Sequence, residues 1–248
     1  MDNDLPCAWN SQIAGEVEMG AVNTADSIAR LLKPIEAFST LSDSELAQVA
    51  SAARYHSMPA QQEIIGHMDL SASVYFVVAG TVRINMLAAS GRQITYQLLS
   101  AGQMFGELAA IDGLPRSAAV IAETECALIE LPQKQFISLV GSNSDFALAI
   151  MNRVAALSRW LTARLFEYHA YNVKGRVIAE LVRLTGDGNS QVKVSDRDMA
   201  SRVGTTRENV TRIVGELKNL NIVERSASGL TVLDIERLKL LLTECEFA

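Results

Sequence analysis

The 248-residue chain is 49% hydrophobic and 20% charged, an ordinary balance that argues against disordered, collagen-like and disulfide-framework classes and fits two modest domains with a connector. No apolar run approaches the roughly 20 residues of a membrane span, and with Arg30 as the first basic residue the start lacks the positive region of a secretory signal, so a cytoplasmic protein without a membrane partner is expected. The formal net charge of −6 is uneven: residues 1–171 hold 10 Lys/Arg against 17 Asp/Glu, residues 172–248 hold 12 against 11, and the second part is the less repelled by phosphate.

Residues 1–29 are polar, acidic and without a period, and are expected to be a mobile extension. Pro34 suits the first turn of one helix, and Ser42-Asp43-Ser44-Glu45 has the spacing of a capping box for the next, with Leu46, Val49 and Ala50 as its apolar face. Between Val74 and Leu131 the pattern changes to short alternating runs broken by glycine. Val82, Ile84 and Met86 face one way and Arg83 and Asn85 the other; Ile94, Tyr96 and Leu98 repeat the inward set; Ala88-Ala89-Ser90-Gly91 reads as a hairpin loop. The fold expected for residues 30–141 is an antiparallel β-roll of jelly-roll type, within an α+β chain.

From Ser142 to His169 there is no proline or glycine, and Phe146, Ile150, Val154, Leu157, Leu161, Leu165 and Tyr168 recur at steps of three and four. One amphipathic helix of about 40 Å follows. Its stripe either packs on a second copy, making 142–171 a dimerisation helix, or is buried against its own domain.

After Asn172 the helical period resumes to Thr185 and stops at Gly186-Asp187-Gly188. Ser195 with Asp198 marks the next helix start, Met199, Ala200 and Val203 its inner face, and Gly204 a tight turn; Thr205–Leu220 reads as a second helix with Val210, Ile213, Val214 and Leu217 inward. Two strands around Ser226-Ala227-Ser228-Gly229 complete a winged helix-turn-helix over 172–248.

The most specific segment runs from Phe105 to Val120: Phe-Gly-Glu-Leu-Ala-Ala-Ile-Asp-Gly-Leu-Pro-Arg-Ser-Ala-Ala-Val. Gly106 lets backbone N–H groups approach an anion, and Arg116 offers a bidentate fork to a phosphodiester. Glu107 beside an anion site is misplaced unless its carboxylate accepts hydrogen bonds, for example from a ribose hydroxyl; a structural salt bridge to Arg116 is the plain alternative. The segment resembles the phosphate-binding cassette of cyclic-nucleotide-binding domains, and the chain from about 30 to 169 is similar to such a domain with its helix. The resemblance implies a ligand site of Gly106, Glu107, Leu108, Arg116 and Ser117, with Glu107 on the ribose hydroxyl and Arg116 on the cyclic phosphate. Aligned on Gly175-Arg176, Leu161 replaces the first of two base-contacting hydroxyl residues of that family and Thr162 occupies the second. Thr162 either touches the purine or bonds its own preceding carbonyl.

In the second domain a recognition helix presents its first residues to base edges. Arg207 and Arg212 can grip guanine, and Glu208 can accept from cytosine, although Thr205-Thr206-Arg207-Glu208 is also a capping box. Ser195 and Thr206 suit phosphate oxygens. Val-Gly-Thr-Thr-Arg-Glu-Asn-Val-Thr-Arg-Ile-Val resembles the recognition helix of the cyclic-AMP receptor protein/fumarate–nitrate regulator superfamily, which implies a TGTGA-like half-site, double-stranded DNA as partner and RNA polymerase as a further one.

The three cysteines, Cys7, Cys126 and Cys245, lack the clustered spacing of an iron–sulfur site, and His56, His67 and His169 are isolated, so neither metal nor cofactor is expected beyond an effector, cyclic AMP or cyclic GMP. No nucleophile–base pair, zinc spacing or Walker loop points to an enzyme. The expected protein is a homodimeric transcription regulator switched by a cyclic nucleotide. A regulator of the same fold with another effector, and a constitutive DNA-binding protein, remain the alternatives.

Overall fold

The computed structural model describes residues 24–87, 93–186, 191, 192, 194–226 and 229–245. The segment before Thr24, the hairpin loop Ala88-Ala89-Ser90-Gly91, the break at Asp187-Gly188 and the wing turn at Ala227-Ser228 lie outside the described residues. The chain divides into two units, residues 1–86 with 96–154 and residues 87–95 with 155–248.

The first unit opens with α1 (Ala25–Leu32), whose N-cap Thr24 accepts from the Ser27 N–H, and buries Ile28, Leu31 and Leu32. Helical structure therefore begins inside the segment expected as an extension to residue 29; a two-turn stripe is too short to stand out by period. Pro34 opens no helix but lies in the turn between α1 and a single 3-10 turn at Glu36–Phe38. The α2 helix (Asp43–Ala52) starts on the expected capping box, with the Ser42 hydroxyl accepting from the Glu45 N–H and the Glu45 carboxylate accepting from the Ser42 N–H.

Strands β1 (Arg54–Met58), β2 (Glu63–Ile65), β3 (Val74–Ala79), β4 (Thr81–Leu87), β5 (Gln93–Ser100), β6 (Met104–Phe105), β7 (Ala119–Ala122) and β8 (Cys126–Leu131) make two four-stranded sheets, ordered β1-β8-β3-β6 and β2-β7-β4-β5. Helix α3 (Glu107–Asp112) interrupts them between β6 and β7, and α4 (Gln133–Ser142) and α5 (Ser144–Ala170) follow. Strand β3 is buried on both faces. Phe76 and Val78 join α1, α2, α4 and Phe146 and Ile150 of α5 in one core, while Val77 packs with Val82, Leu99, Phe105 and Leu128 in another. That is why Val74–Val78 reads as a continuous apolar run.

Two facings differ from expectation. Asn85, assigned outward with Arg83 on polarity alone, is 3% exposed; a polar side chain can be buried when its hydrogen-bonding capacity is met. On β5 Leu99 is fully buried and Leu98, expected inward, is only half-buried. Adjacent leucines hide the phase of a strand, and a one-residue slip exchanges its faces.

The second unit contains α6 (Val173–Thr185), β9 (Gln191–Val192), α7 (Asp196–Val203), α8 (Arg207–Asn219), β10 (Val223–Ser226), β11 (Gly229–Val232) and α9 (Ile235–Thr243). Strand β9 pairs with β11, so the wing sheet has three strands, not the two expected; two residues are too few to show alternation. Helix α9 was not foreseen. It is capped by Asp234, which accepts from the Arg237 N–H, and sends Leu238 into the core of Val177, Ile178, Leu181, Met199, Val210, Ile213 and Leu217. Among the described residues no helix is long and apolar enough to cross a membrane.

Candidate functional site

In the first unit Phe105 ends β6 and the chain turns at Gly106, whose φ of +88° admits glycine readily and other residues poorly. A Cβ there would stand 2.6 Å from Arg116 Nη1 and 2.8 Å from the Ser73 carbonyl oxygen. The glycine is therefore required by the arginine folded over it. Arg116 is 2% exposed and donates from Nη2 to the Ser73 carbonyl at 2.7 Å, from Nη1 to the Gly106 carbonyl at 2.9 Å and from Nε to the Ser71 hydroxyl at 3.2 Å. Its own backbone pairs with Met68 and Asp69. A guanidinium has five N–H donors, and the bonds to described residues engage three of them.

Glu107, the first residue of α3, is 5% exposed. Burial, the largest influence, pushes its carboxyl above the ordinary range, against the lowering effects of its own backbone N–H and of the charges on Arg153 and Arg116. Arg116 spends its bonds on chain oxygens, so the structural salt bridge is not what pairs the two residues. Leu108 is half-buried on α3 and Ser117 is exposed beside the arginine. Sequence reasoning missed Arg153 of α5. Its Nε is buried with no hydrogen-bond partner among the described residues, and its Nη2 reaches the Met104 carbonyl only at 3.4 Å. The signal was there: Arg153 follows Phe146 and Ile150 on the inward stripe, where an arginine is out of place.

Thr162 lies in the second unit, exposed, and its hydroxyl donates to the Ser158 carbonyl at 3.0 Å. Also in that unit, Ser195 caps α7, accepting from the Asp198 N–H at 3.1 Å. Gly204 closes α7 with φ +65°, and Thr206 caps α8, accepting from the Asn209 N–H at 3.4 Å. The second helix thus starts two residues later than expected, and the residue three past the cap is Asn209, not Glu208. The capping box expected at Thr205–Glu208 is not formed. The carboxyl of Glu208 is held below the ordinary range by its own backbone N–H and then by the Thr206 hydroxyl. Arg207, Glu208 and Arg212 are all exposed, and Arg212 pairs with Glu216, which also meets Lys174 Nζ at 3.2 Å. Asp196 braces this surface, accepting from Thr211 of α8 at 2.7 Å and from Arg225 of β10.

Comparison with known proteins matches residues 55–143 to the cyclic nucleotide-binding domain and residues 175–241 to the Crp-like helix-turn-helix domain. The chain belongs to the cyclic-AMP receptor protein/fumarate–nitrate regulator superfamily. It is 26% identical over 198 residues to the cAMP-activated global transcriptional regulator CRP of Salmonella typhimurium, covering 77% of this chain and 93% of that one. It is 27% identical over 169 residues to the cyclic AMP receptor protein of Thermus thermophilus, covering 66% and 77%. The structure of CooA from Carboxydothermus hydrogenoformans shares the fold with a TM-score of 0.71 at 19% identity, over 84% of this chain and 94% of that one. This superfamily member is a DNA-binding transcription regulator with a cyclic-nucleotide-binding domain. Its family is one of regulators, not an enzyme class.

Proposed function

We propose that this regulator is a cytoplasmic homodimer that binds a purine cyclic nucleotide, cyclic AMP or cyclic GMP, and in that state holds a palindromic TGTGA-like site. The observation that carries the reading is a buried carboxyl and a buried guanidinium brought together at one turn. Glu107 is a buried carboxyl whose charge is favoured most by its own N–H, and Arg116 gives three of its five N–H donors to the described residues, which leaves two for a phosphate. A cyclic nucleotide meets both needs, with its ribose 2′-hydroxyl donating to Glu107 and its phosphate accepting from Arg116. Leu108 closes on the ligand, Ser117 adds a hydroxyl at the phosphate, and Arg153 contributes charge beside Glu107. Thr162 is the base contact in this reading, once its hydroxyl leaves the Ser158 carbonyl. The names of the two relatives above support cyclic AMP as the effector.

Arg207, Glu208 and Arg212 read bases, and Ser195 and Thr206 position phosphates through the helix N-termini that they cap. For dimerisation the support is α5, where Leu161, Leu165 and Tyr168 are exposed at steps of four and three, and Leu148 and Met151 are exposed earlier on the helix. RNA polymerase is the further partner of the DNA-bound dimer. In domain terms the proposal keeps the roll to 141, the dimerisation helix at 142–171 and the winged helix from 172, and adds α1 to the first domain.

One observation favours a second reading. Arg116 gives three of its donors to the Ser73 and Gly106 carbonyls and the Ser71 hydroxyl, a structural role that a constitutive protein or one with a different effector would keep. Calorimetric titration with cyclic AMP and with cyclic GMP, with and without a TGTGA palindrome, separates the readings. Binding heat with either nucleotide supports the proposal, and silence with both overturns it.

A further inference from the structure

An ion cluster inside the second unit has no part in the readings above. Glu180, in the middle of α6, is 3% exposed, and a buried carboxylate persists only when it is paired. It is paired from three helices: by Arg183 of α6, by Arg164 Nη1 of α5 at 2.9 Å and by Arg202 Nη1 of α7 at 3.1 Å. Burial, the largest influence, pushes its carboxyl up, but the charges of Arg183, Arg164 and Arg202 outweigh it and leave the group below the ordinary range.

The arginines do more than neutralise it. Arg164 bonds Glu167 at 3.1 Å and sends Nη2 to the Arg202 carbonyl at 2.6 Å, and Arg183 also reaches Glu167. A planar fork can hold a carboxylate and a carbonyl at once, which a lysine cannot do with the same rigidity. One turn after Arg164, Tyr168 lies against the α7–α8 turn so closely that a Cβ on Gly204 would overlap its hydroxyl. The Arg176 guanidinium stacks on the Tyr168 ring at 4.7 Å and donates to the Val203 carbonyl at 3.2 Å. Two independent contacts thus tie the end of α5 to the same turn, and both lie wholly within residues 155–248.

We propose that Glu180 is a positioning residue for DNA reading: by gathering Arg164 of α5 and Arg202 of α7 it makes the last two turns of α5 part of the body that carries α8. Rotation of α5 then reaches the recognition helix undiminished. Any give between the two halves of the chain falls within α5 ahead of Arg164, not at the Tyr171–Asn172 junction where the helix ends. The proposal rests on α8 as the DNA reader, and on no particular effector.

Hydrogen exchange on the full chain, read by mass spectrometry, tests it together with binding to the TGTGA palindrome. Glu180→Gln is expected to speed exchange of residues 164–172 and 200–205 by about tenfold, to leave residues 210–217 and 74–79 unchanged, and to weaken DNA binding by about tenfold. Arg164→Gln, which leaves the winged domain's own side chains intact, should do the same if Glu180→Gln does not fold; Arg164→Lys, keeping one bond, should fall between. Unchanged exchange at 164–172 overturns the proposal. So does faster exchange shared by 210–217, which marks a loss of domain stability alone, or loosening with undiminished DNA affinity. A wild type that is protected at 164–172 yet binds no palindrome refutes the DNA-reading assignment instead.

Discussion

At the scale of single residues, Arg116 has two duties that one substitution would confound. Arg116→Leu removes the phosphate fork but also strands the carbonyls of Ser73 and Gly106, each at a cost of about 1–3 kcal/mol if left unpaired. It should therefore abolish nucleotide binding and lower the unfolding midpoint of the first unit, whereas Arg116→Lys, with fewer donors, should weaken binding with a smaller loss of stability; calorimetry and thermal denaturation separate the two. Glu107 has the opposite balance. Its carboxyl is raised above the reference value of 4.5, so in the free protein the ionised form destabilises the fold at neutral pH, and that cost fades as pH falls through the raised value. A charged acceptor for the ribose hydroxyl is lost over the same window, and nucleotide affinity should decline on acidification before pH 4.5 is reached. Glu107→Gln should raise the melting temperature of the free protein and weaken nucleotide binding by roughly 10- to 100-fold, the worth of a charge-assisted bond of about 1.5–3 kcal/mol. A variant that binds normally would remove Glu107 from the ligand. For Arg207→Ala the expected loss is about 1–3 kcal/mol of discrimination at one base pair, seen as a flattened preference across a set of singly substituted operators.

At the scale of elements, what was legible depended on how many residues carried the signal. The cassette could be read because Gly106 and Arg116 require each other, and that requirement leaves both residue types at a fixed spacing. The capping box at Ser42–Glu45 and the 27-residue α5 helix were legible for the same reason, one by reciprocal bonds and the other by length. Two short elements were not: β9 and α9 are set by pairing with β11 and by packing on α6, which no local pattern encodes. The start of α8 was misplaced because Thr205 and Thr206 are both good caps; the buried Thr205 instead accepts from the Asn209 side chain at 3.1 Å. Thr206→Ala should accordingly cost about 1 kcal/mol of stability as a lost N-cap, measured by denaturant unfolding. Thr205→Ala should not act as a cap deletion. The exposed stripe of α5 makes a further demand. Leu165, at 60% exposure, should lie in the dimer seam, and Leu165→Glu should shift the sedimentation profile toward monomer. An unchanged profile would move the interface elsewhere.

At the scale of the whole molecule, the charge asymmetry read from composition acquires a structural meaning. The near-neutral second part presents exposed Arg197, Arg207, Arg212 and Lys218, while Asp196 and Glu180 spend their charge internally on Arg225, Arg164, Arg183 and Arg202. Affinity for DNA should therefore fall steeply with salt, with or without nucleotide. What composition could not supply is coupling, because a shared helix does not make a switch. If ligand favours the DNA-competent state, specific DNA must tighten ligand binding by the same factor that ligand tightens DNA binding. The decisive measurement is that pair of factors in one buffer: the affinity of the wild type for the palindrome with and without saturating cyclic nucleotide, and its affinity for nucleotide with and without the palindrome. Two equal factors well above one are expected. Binding of both partners with both factors equal to one would contradict the switch and leave a constitutive DNA-binding protein.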